Sequence, residues 1–348
     1  MTLPAAPIAV ADSTETRISM QSANNAFLME IGSRYLAQAE MPDELELSRW
    51  RPAGLAWPLL REVQRRATGM RKRSAVVDGH RMVWMEGGNA RGAPVLLLHG
   101  FTSSKENWLL MLPFLLRRYR VFVPDLPGWG ESEFHHGAGY SLDRQVARLA
   151  QWARQALPGP AHVAGSSMGG AIAGLFSARH PELVATLTLM NAAGMRGASL
   201  SPFEHGLLSG RNGLIAGRFG EVLQLLESTV ERNRSTLPLA LAPLMYGEFI
   251  HRRHVNLHLF AEMLLTPPAA ELPGVEQVST PTLVMWGEQD RILDASCVEA
   301  FQQAIPHARI KRLQGVGHLP MIEVPLLTAR NLRRFWEQQP AASLARAA

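Results

Sequence analysis

The sequence predicts an α/β architecture, a mostly parallel eight-stranded sheet with helices on both faces and an inserted helical cap. Three observations carry this. Short apolar runs alternate with helix-length amphipathic segments from Ser74 to Met190, as parallel strands joined by crossover helices require. The alternation stops between Asn191 and Pro273 and resumes at Thr282. Between two of the strands, Gly165-Ser166-Ser167-Met168-Gly169 marks a sharp strand-to-helix turn that lifts a serine hydroxyl above the sheet.

Residues 1–73 read as an arm, partly disordered and then helical. Met1 to about Ser19 is rich in Ala, Pro, Ser and Thr and is expected to be a disordered tail. Asn24 to Ala39 places Phe27, Leu28, Ile31, Tyr35 and Leu36 at helical spacing, a face that must cover something. Trp50 to Arg73 sets Leu55, Trp57, Leu59, Leu60 and Val63 among Arg51, Arg61, Arg65, Arg66, Arg71, Lys72 and Arg73. That composition fits a basic helix on a membrane surface. It fits equally a helix packed on the main domain with a solvated arginine face, and Pro52 and Pro58 interrupt the period in both cases.

Residues 74–194 and 274–340 read as the core. Ala75–Val77 and Met82–Glu86, joined through Asp78-Gly79-His80, form a hairpin. Pro94–Leu98 is continuously apolar, as a strand buried on both faces must be. Asn107–Leu116 is expected to be helical and Arg120–Val123 the next strand. Ser141 can cap a helix to about Leu157, with Leu142, Val146, Leu149 and Trp152 on one side. Strands Ala161–Ala164 and Thr186–Met190 flank the serine turn and its helix. Residues 195–273 form the cap, with helices Gly220–Arg232 and Leu237–Leu265 after a loose start containing Gly206, Gly210, Gly213 and Gly217. Strand Thr282–Trp286, helix Ser296–Ala304, strand Arg309–Leu313 and helix Pro325–Gln338 complete the chain.

The 348 residues, 47% hydrophobic and 19% charged, suffice for one large core with an insertion. The formal charge of +5 is mild, and no Lys/Arg tract is interleaved with aromatics, so no nucleic-acid partner is expected. A single cysteine, Cys297, forbids an intrachain disulfide, leaves no metal-type cluster and fits a reducing compartment. No run approaches the roughly 20 apolar residues that cross a bilayer, and Met1–Ser13 lacks the basic start of a signal peptide. The expectation is a cytoplasmic chain, with peripheral membrane contact reserved for the arm.

A serine hydroxyl needs a base to take its proton, and the base needs an orienting acid. With Ser167 as nucleophile, both belong on loops after later strands. The loop after Thr282–Trp286 holds Asp290, and the loop after Arg309–Leu313 holds His318, in the chain order Ser, Asp, His. Glu288 and Asp294 are competing acids, but Glu288 lies close to the strand and Asp294 is placed to cap the next helix. Gly315 and Gly317 give His318 a flexible approach, whereas His80, His99, His135, His136, His162 and His251 lack such a setting and read as structural or solvent-facing. Oxyanion donors are expected from the backbone N–H of Met168 and, after strand Pro94–Leu98, of Phe101; an ordinary strand-exit turn is the alternative reading of His99-Gly100. The Pro127–Gly130 cluster reads as turn geometry. No cofactor or metal is called for.

From about Ser74 to Gln338 the chain resembles the α/β-hydrolase superfamily. The matching motifs are His99-Gly100-Phe101, Asp125-Leu126-Pro127-Gly128-Trp129-Gly130-Glu131-Ser132, Gly165-Ser166-Ser167-Met168-Gly169-Gly170, Trp286-Gly287-Glu288-Gln289-Asp290 and Gly317-His318. Within it, Phe101-Thr102-Ser103-Ser104-Lys105-Glu106-Asn107-Trp108, Asn191-Ala192-Ala193-Gly194 and Asp290-Arg291-Ile292-Leu293-Asp294 are similar to the monoacylglycerol lipase and bacterial membrane-associated lipase/phospholipase A branch. Members of that branch carry an N-terminal membrane helix, where this chain has a polar, proline-broken arm. The resemblance implies a cofactor-free serine hydrolase acting on carboxylic esters of lipid or acylglycerol type. Superfamily members with an aspartate nucleophile are set apart by Ser167. Carbon-carbon bond hydrolases share the Ser-Met-Gly-Gly elbow but carry a Gly-Pro-Gly-type loop after His-Gly that is absent here. A non-catalytic ligand-binding relative is the remaining alternative, and a full set of triad and oxyanion positions speaks against it.

Overall fold

The computed structural model describes residues 13–50, 62–63, 65–234, 236–269 and 272–339. Strands β1 (Arg71–Val77) and β2 (His80–Gly88) form the first hairpin. Its Asp78 and Gly79 have φ of 47° and 76°, the two left-handed residues that a tight turn matched to strand twist requires. Strands β3 (Pro94–Leu98), β4 (Arg120–Pro124), β5 (Ala161–Ser166), β6 (Val184–Met190), β7 (Thr282–Gly287) and β8 (Arg309–Leu313) complete one eight-stranded sheet. Its order is β1-β2-β4-β3-β5-β6-β7-β8, and only β2 runs against its neighbours.

Both faces are covered, which is why β3 reads as an unbroken apolar run and why β5, β6 and β7 are buried along their whole length. Along β3, Leu96 and Leu98 enter one core while Val95 and Leu97 enter the other, following the two-residue period of a strand. Helices α3 (Leu142–Ala156), α4 (Met168–Arg179) and α9 (Cys297–Ala304) pack on the first face; α10 (Pro325–Glu337) packs on the second through Leu332, Phe335 and Trp336. Ser141 caps α3 by accepting from Arg144 N. Between β6 and β7 lie α5 (Pro202–Leu208), α6 (Phe219–Thr229), α7 (Leu237–His251) and α8 (Arg253–Leu265), with no strand among the described residues there.

Several expectations are corrected. Residues 107–116 are not one helix but a 3₁₀ turn, Lys105–Trp108, and a short turn, Leu112–Leu115. Pro113 opens the second, because it has no N–H to continue the hydrogen-bonded ladder. The expected helix Leu237–Leu265 is two helices that break at Arg252, where ψ is 0° and the guanidinium donates to Gly128 O. Helix α1 (Ser13–Leu36) starts inside the expected disordered tail, while residues 1–12 lie outside the described residues. Its C-terminal half is anchored by Phe27, Ile31 and Tyr35 against Leu257, Phe260 and Leu264 of α8, and growth from a fixed end is cheap compared with nucleation.

Among the described residues the helix expected from Trp50 to Arg73 does not reach its end, because Arg71–Arg73 lie in β1. Residues 51–61, with Leu55, Trp57, Leu59 and Leu60, lie outside the described residues. Gly69, at φ +67°, turns the chain so that Arg71–Arg73 open β1 opposite Glu86, Met85 and Trp84. Trp50, after the short α2 (Glu44–Arg49), docks on the α7–α8 junction: its Nε1 donates to His251 O at 3.0 Å and its ring lies under the Arg252 guanidinium.

One buried histidine sets a stability prediction. His162 on β5 stacks on Trp336 and shares a 3.0 Å hydrogen bond with Thr186 Oγ1, and burial lowers its pKa to about 4. Above about pH 6.5 it is neutral folded or unfolded. As pH falls from there toward 4, the unfolded chain takes up the proton and the native state does not, so about 3 kcal/mol of stability is lost. Buried His99, also shifted down by burial, adds in the same direction. Urea unfolding at pH 7 and pH 4.5 is expected to show a shallower loss in His162→Gln than in the parent; equal losses would assign the acid sensitivity elsewhere.

Candidate active site

Ser167 lies between β5 and α4 at φ 56° and ψ −123°, a strained conformation for a residue with a side chain. The glycines beside it are sterically required. A Cβ at Gly165 would meet Gly169 O at 2.1 Å, and one at Gly169 would meet His99 O at 2.4 Å. The strained turn is held from behind, because Ser167 N donates to Met190 O and Ser167 O accepts from Gly170 and Ala193 N–H. Met168 is the first residue of α4, where an N–H has no acceptor within the helix.

The loop after β3 comes close to this turn: a Cβ on Gly100 would sit 3.1 Å from Ser167 Cβ. His99 is fully buried, with Nε2 accepting from Leu126 N–H at 3.0 Å, so the ring proton is on Nδ1, 2.8 Å from Gly100 O. That hydrogen bond fixes the Gly100–Phe101 peptide plane and with it the direction of the Phe101 N–H. His99, expected to be structural or solvent-facing, is buried and holds this loop in position.

Asp290 and His318 come together although 28 positions apart, with His318 Nδ1 2.7 Å from Asp290 Oδ2. Every lone-pair direction of this carboxylate is used. Oδ2 also accepts from Asn191 Nδ2 at 2.7 Å, and Oδ1 accepts from Ile292 and Leu293 N–H at 2.8 and 3.1 Å. The competing acids are engaged elsewhere. Asp294 does not cap α9 as expected but accepts from the N–H and Oγ–H of Ser296, the residue before that helix, and Glu288 faces Arg312. The His318 loop is pinned on both sides: Gly317 N donates to Glu323 Oε1, and His318 N donates to Thr229 O at the end of α6.

Ser167, His318, Gly100 and Phe101 line one cavity of about 380 Å³. Its outer wall is apolar, built by Leu225 and Leu226 of α6 and by Leu241, Met245 and Phe249 of α7, with Glu248, Arg252 and Asn256 as polar interruptions. A serine hydroxyl, a hydrogen-bonded imidazole-carboxylate pair and the loop after β3 thus meet where an apolar chain can be buried. Among the described residues no group of three His, Cys, Asp or Glu side chains is arranged to hold a metal ion, and no helix is long and apolar enough to cross a membrane.

Two contributors escaped the reading of the sequence as chemistry. Asn191, at φ 42° just past β6, links the end of β7 and the loops after β7 and β8: its Oδ1 accepts from Gly287 N–H, and its Nδ2 donates to Asp290 at 2.7 Å and to Gly317 O at 3.5 Å. Lys105 lies under the loop that carries Phe101. Only 1% exposed, its ammonium sits 2.7 Å from Asp125, 2.7 Å from Glu131 and 3.0 Å from Glu106. Burial pushes the Glu131 carboxyl up, and the charges and hydrogen bonds of Lys105 and Lys72 together more than reverse this, so it stays below the ordinary carboxylate value. Asp125 also accepts from Lys105 and Glu131 N–H, clamping the loops after β3 and β4 to each other. Lys105→Met leaves buried carboxylates without their counter-charge and is expected to cost about 3–5 kcal/mol of stability. Denaturant unfolding checks this, and a loss below about 1 kcal/mol would mean that the clamp is dispensable.

A family model described as the alpha/beta hydrolase fold matches residues 93–325. Lipase 1 of Psychrobacter immobilis is 30% identical over 265 residues, covering 76% of this chain and 83% of the lipase. Monoacylglycerol lipase ABHD6 of Homo sapiens is 27% identical over 289 residues, covering 78% of this chain and 83% of that protein. Among solved structures, a membrane phospholipase A described as a bacterial virulence factor superposes with a TM-score of 0.74 at 31% identity, covering 81% of this chain and 90% of that one.

Proposed function

The chain belongs to the alpha/beta hydrolase fold family and is a carboxylic ester hydrolase, and from that premise we propose that it cleaves lipid or acylglycerol-type esters through an acyl-enzyme on Ser167. The observation that carries this is the 2.7 Å bond between His318 Nδ1 and Asp290, whose imidazole opens into the same cavity as the strained Ser167. In this reading His318 Nε2 takes the Ser167 proton as Oγ attacks the ester carbonyl. Asp290 keeps the ring proton on Nδ1 and stabilises the imidazolium that forms. The backbone N–H groups of Met168 and Phe101 receive the oxyanion, one at a helix N-terminus and one on a peptide held by His99. His318 then protonates the leaving alcohol, and water, deprotonated by the same imidazole, releases the acid.

Lipid esters are favoured over small polar ones by the apolar wall from α6 and α7, a helical segment we read as a cap over the pocket. Support also comes from the relatives, which are lipases and a phospholipase by name. A panel of p-nitrophenyl esters and monoacylglycerols of graded chain length, with a vinylogous diketone beside them, tests the proposal. The expected result is a kcat/KM that rises from acetyl to longer acyl chains. Turnover of the acetyl ester alone would remove the lipid assignment, and turnover only of vinylogous diketones would replace it with carbon-carbon bond hydrolysis.

A further inference from the structure

Helix α6 is a wall shared by two cavities. Leu225, Leu226 and Thr229 face the cavity that holds Ser167, while Glu221, Gln224 and Ser228 face a second cleft of about 790 Å³ on its other side. That second cleft also takes in the C-terminal end of α1 at Tyr35 and Gln38 and the turn from Gly210 to Arg218.

Its chemistry is unlike that of the first. Five arginines line it, Arg211, Arg218, Arg234, Arg253 and Arg291, against the carboxylates of Glu40 and Glu221. Arg218 is taken by Glu221 at 2.8 Å and Arg291 by Glu231 at 2.7 Å. Arg211, Arg234 and Arg253 have no ion-pair partner among the described residues, and Arg291 Nη1 is a buried donor without an acceptor. Like charges gathered around one concavity repel each other and destabilise the fold, and an anion in the cleft offsets that repulsion. Guanidinium forks match the paired oxygens of a phosphate group, which several can contact at once.

We propose that this cleft binds a phosphate-bearing anion. The group is either a free phosphate or phosphomonoester, or the phosphodiester of an anionic lipid head group. In the second case the bilayer surface is held about one helix diameter, 10 Å, from the cavity that contains Ser167. The proposal does not depend on the serine chemistry.

The test uses the full chain, isothermal calorimetry with inorganic phosphate, and flotation with phosphatidylcholine vesicles with and without phosphatidylglycerol. Its variants are Arg211→Gln/Arg253→Gln and the single Arg234→Gln, at an exposed position. At least one arm is expected to show binding by the parent that weakens tenfold or more in the double variant and measurably in the single one. Hydrolysis of a soluble short-chain ester should stay within about twofold. Saturable binding of phosphate without flotation identifies a free anion as the ligand; flotation that requires phosphatidylglycerol, without phosphate binding, identifies the lipid head group; both together support the shared chemistry. No binding by the parent in either arm, or binding that both variants retain in full, overturns the proposal. Absence of ester hydrolysis in the parent would instead count against the serine mechanism.

Discussion

Ser167→Ala is expected to lower kcat by about 10⁴ to 10⁶ while leaving the melting temperature unchanged, because the residual rate then comes only from substrate binding and the oxyanion donors. The fold is indifferent to this change, since alanine keeps the Cβ and the backbone carries the turn's hydrogen bonds to Met190, Gly170 and Ala193. Ser167→Gly separates the two roles of the position. It removes the nucleophile equally, but it also relieves the φ +56° strain and is expected to raise stability by about 1 kcal/mol. Steady-state hydrolysis and thermal unfolding of both variants check this. Retention of more than about one-hundredth of the activity by either would take Ser167 out of the mechanism.

Asp290→Asn is expected to cost about 10⁴ in kcat, and the hydrogen bonds around the carboxylate give the reason. The amide oxygen must stay on the Oδ1 side, where Ile292 and Leu293 N–H require an acceptor. The new NH₂ then faces Asn191 Nδ2 and His318 Nδ1. Two donors cannot face a third, so the imidazole moves its proton to Nε2 and can no longer accept one from serine. Asp294 is hydrogen-bonded to Ser296 and Glu288 faces Arg312, so neither is turned toward His318 as Asp290 is, and Asp294 is the next candidate should the change prove mild. A mild effect would mean that another acid orients His318.

Much of the architecture is legible in the sequence because it depends on short-range rules. An Asp-Gly pair sets a hairpin, unbroken apolar runs mark strands covered on both faces, and two glycines around a serine reveal a turn in which any side chain would collide with backbone. Asp290 is favoured over Asp294 on local grounds as well, by its place in the loop directly after β7. What escaped depends on distant partners. Asn191 is an unremarkable asparagine until β6, β7 and the His318 loop converge on it, and Lys105 is one basic residue among many until Asp125 and Glu131 close over it. Local pattern also misjudged continuity. Residues 107–116 and 237–265 have helical composition, but a proline within the first and a tertiary anchor at Arg252 in the second divide them. Conversely, the low-complexity start of α1 is helical because its far end is packed on α8.

The most direct measurement of the central claim is covalent labelling with a fluorophosphonate, followed by peptide mass spectrometry. The reagent reacts with a serine whose hydroxyl is activated by a neighbouring base and mimics the tetrahedral intermediate once attached. The account requires one adduct per chain on the peptide containing Ser167, loss of ester hydrolysis in proportion to labelling, no adduct in Ser167→Ala, and labelling slowed by orders of magnitude in Asp290→Asn. A fully active enzyme that takes no label, or that carries it on a peptide without Ser167, contradicts it.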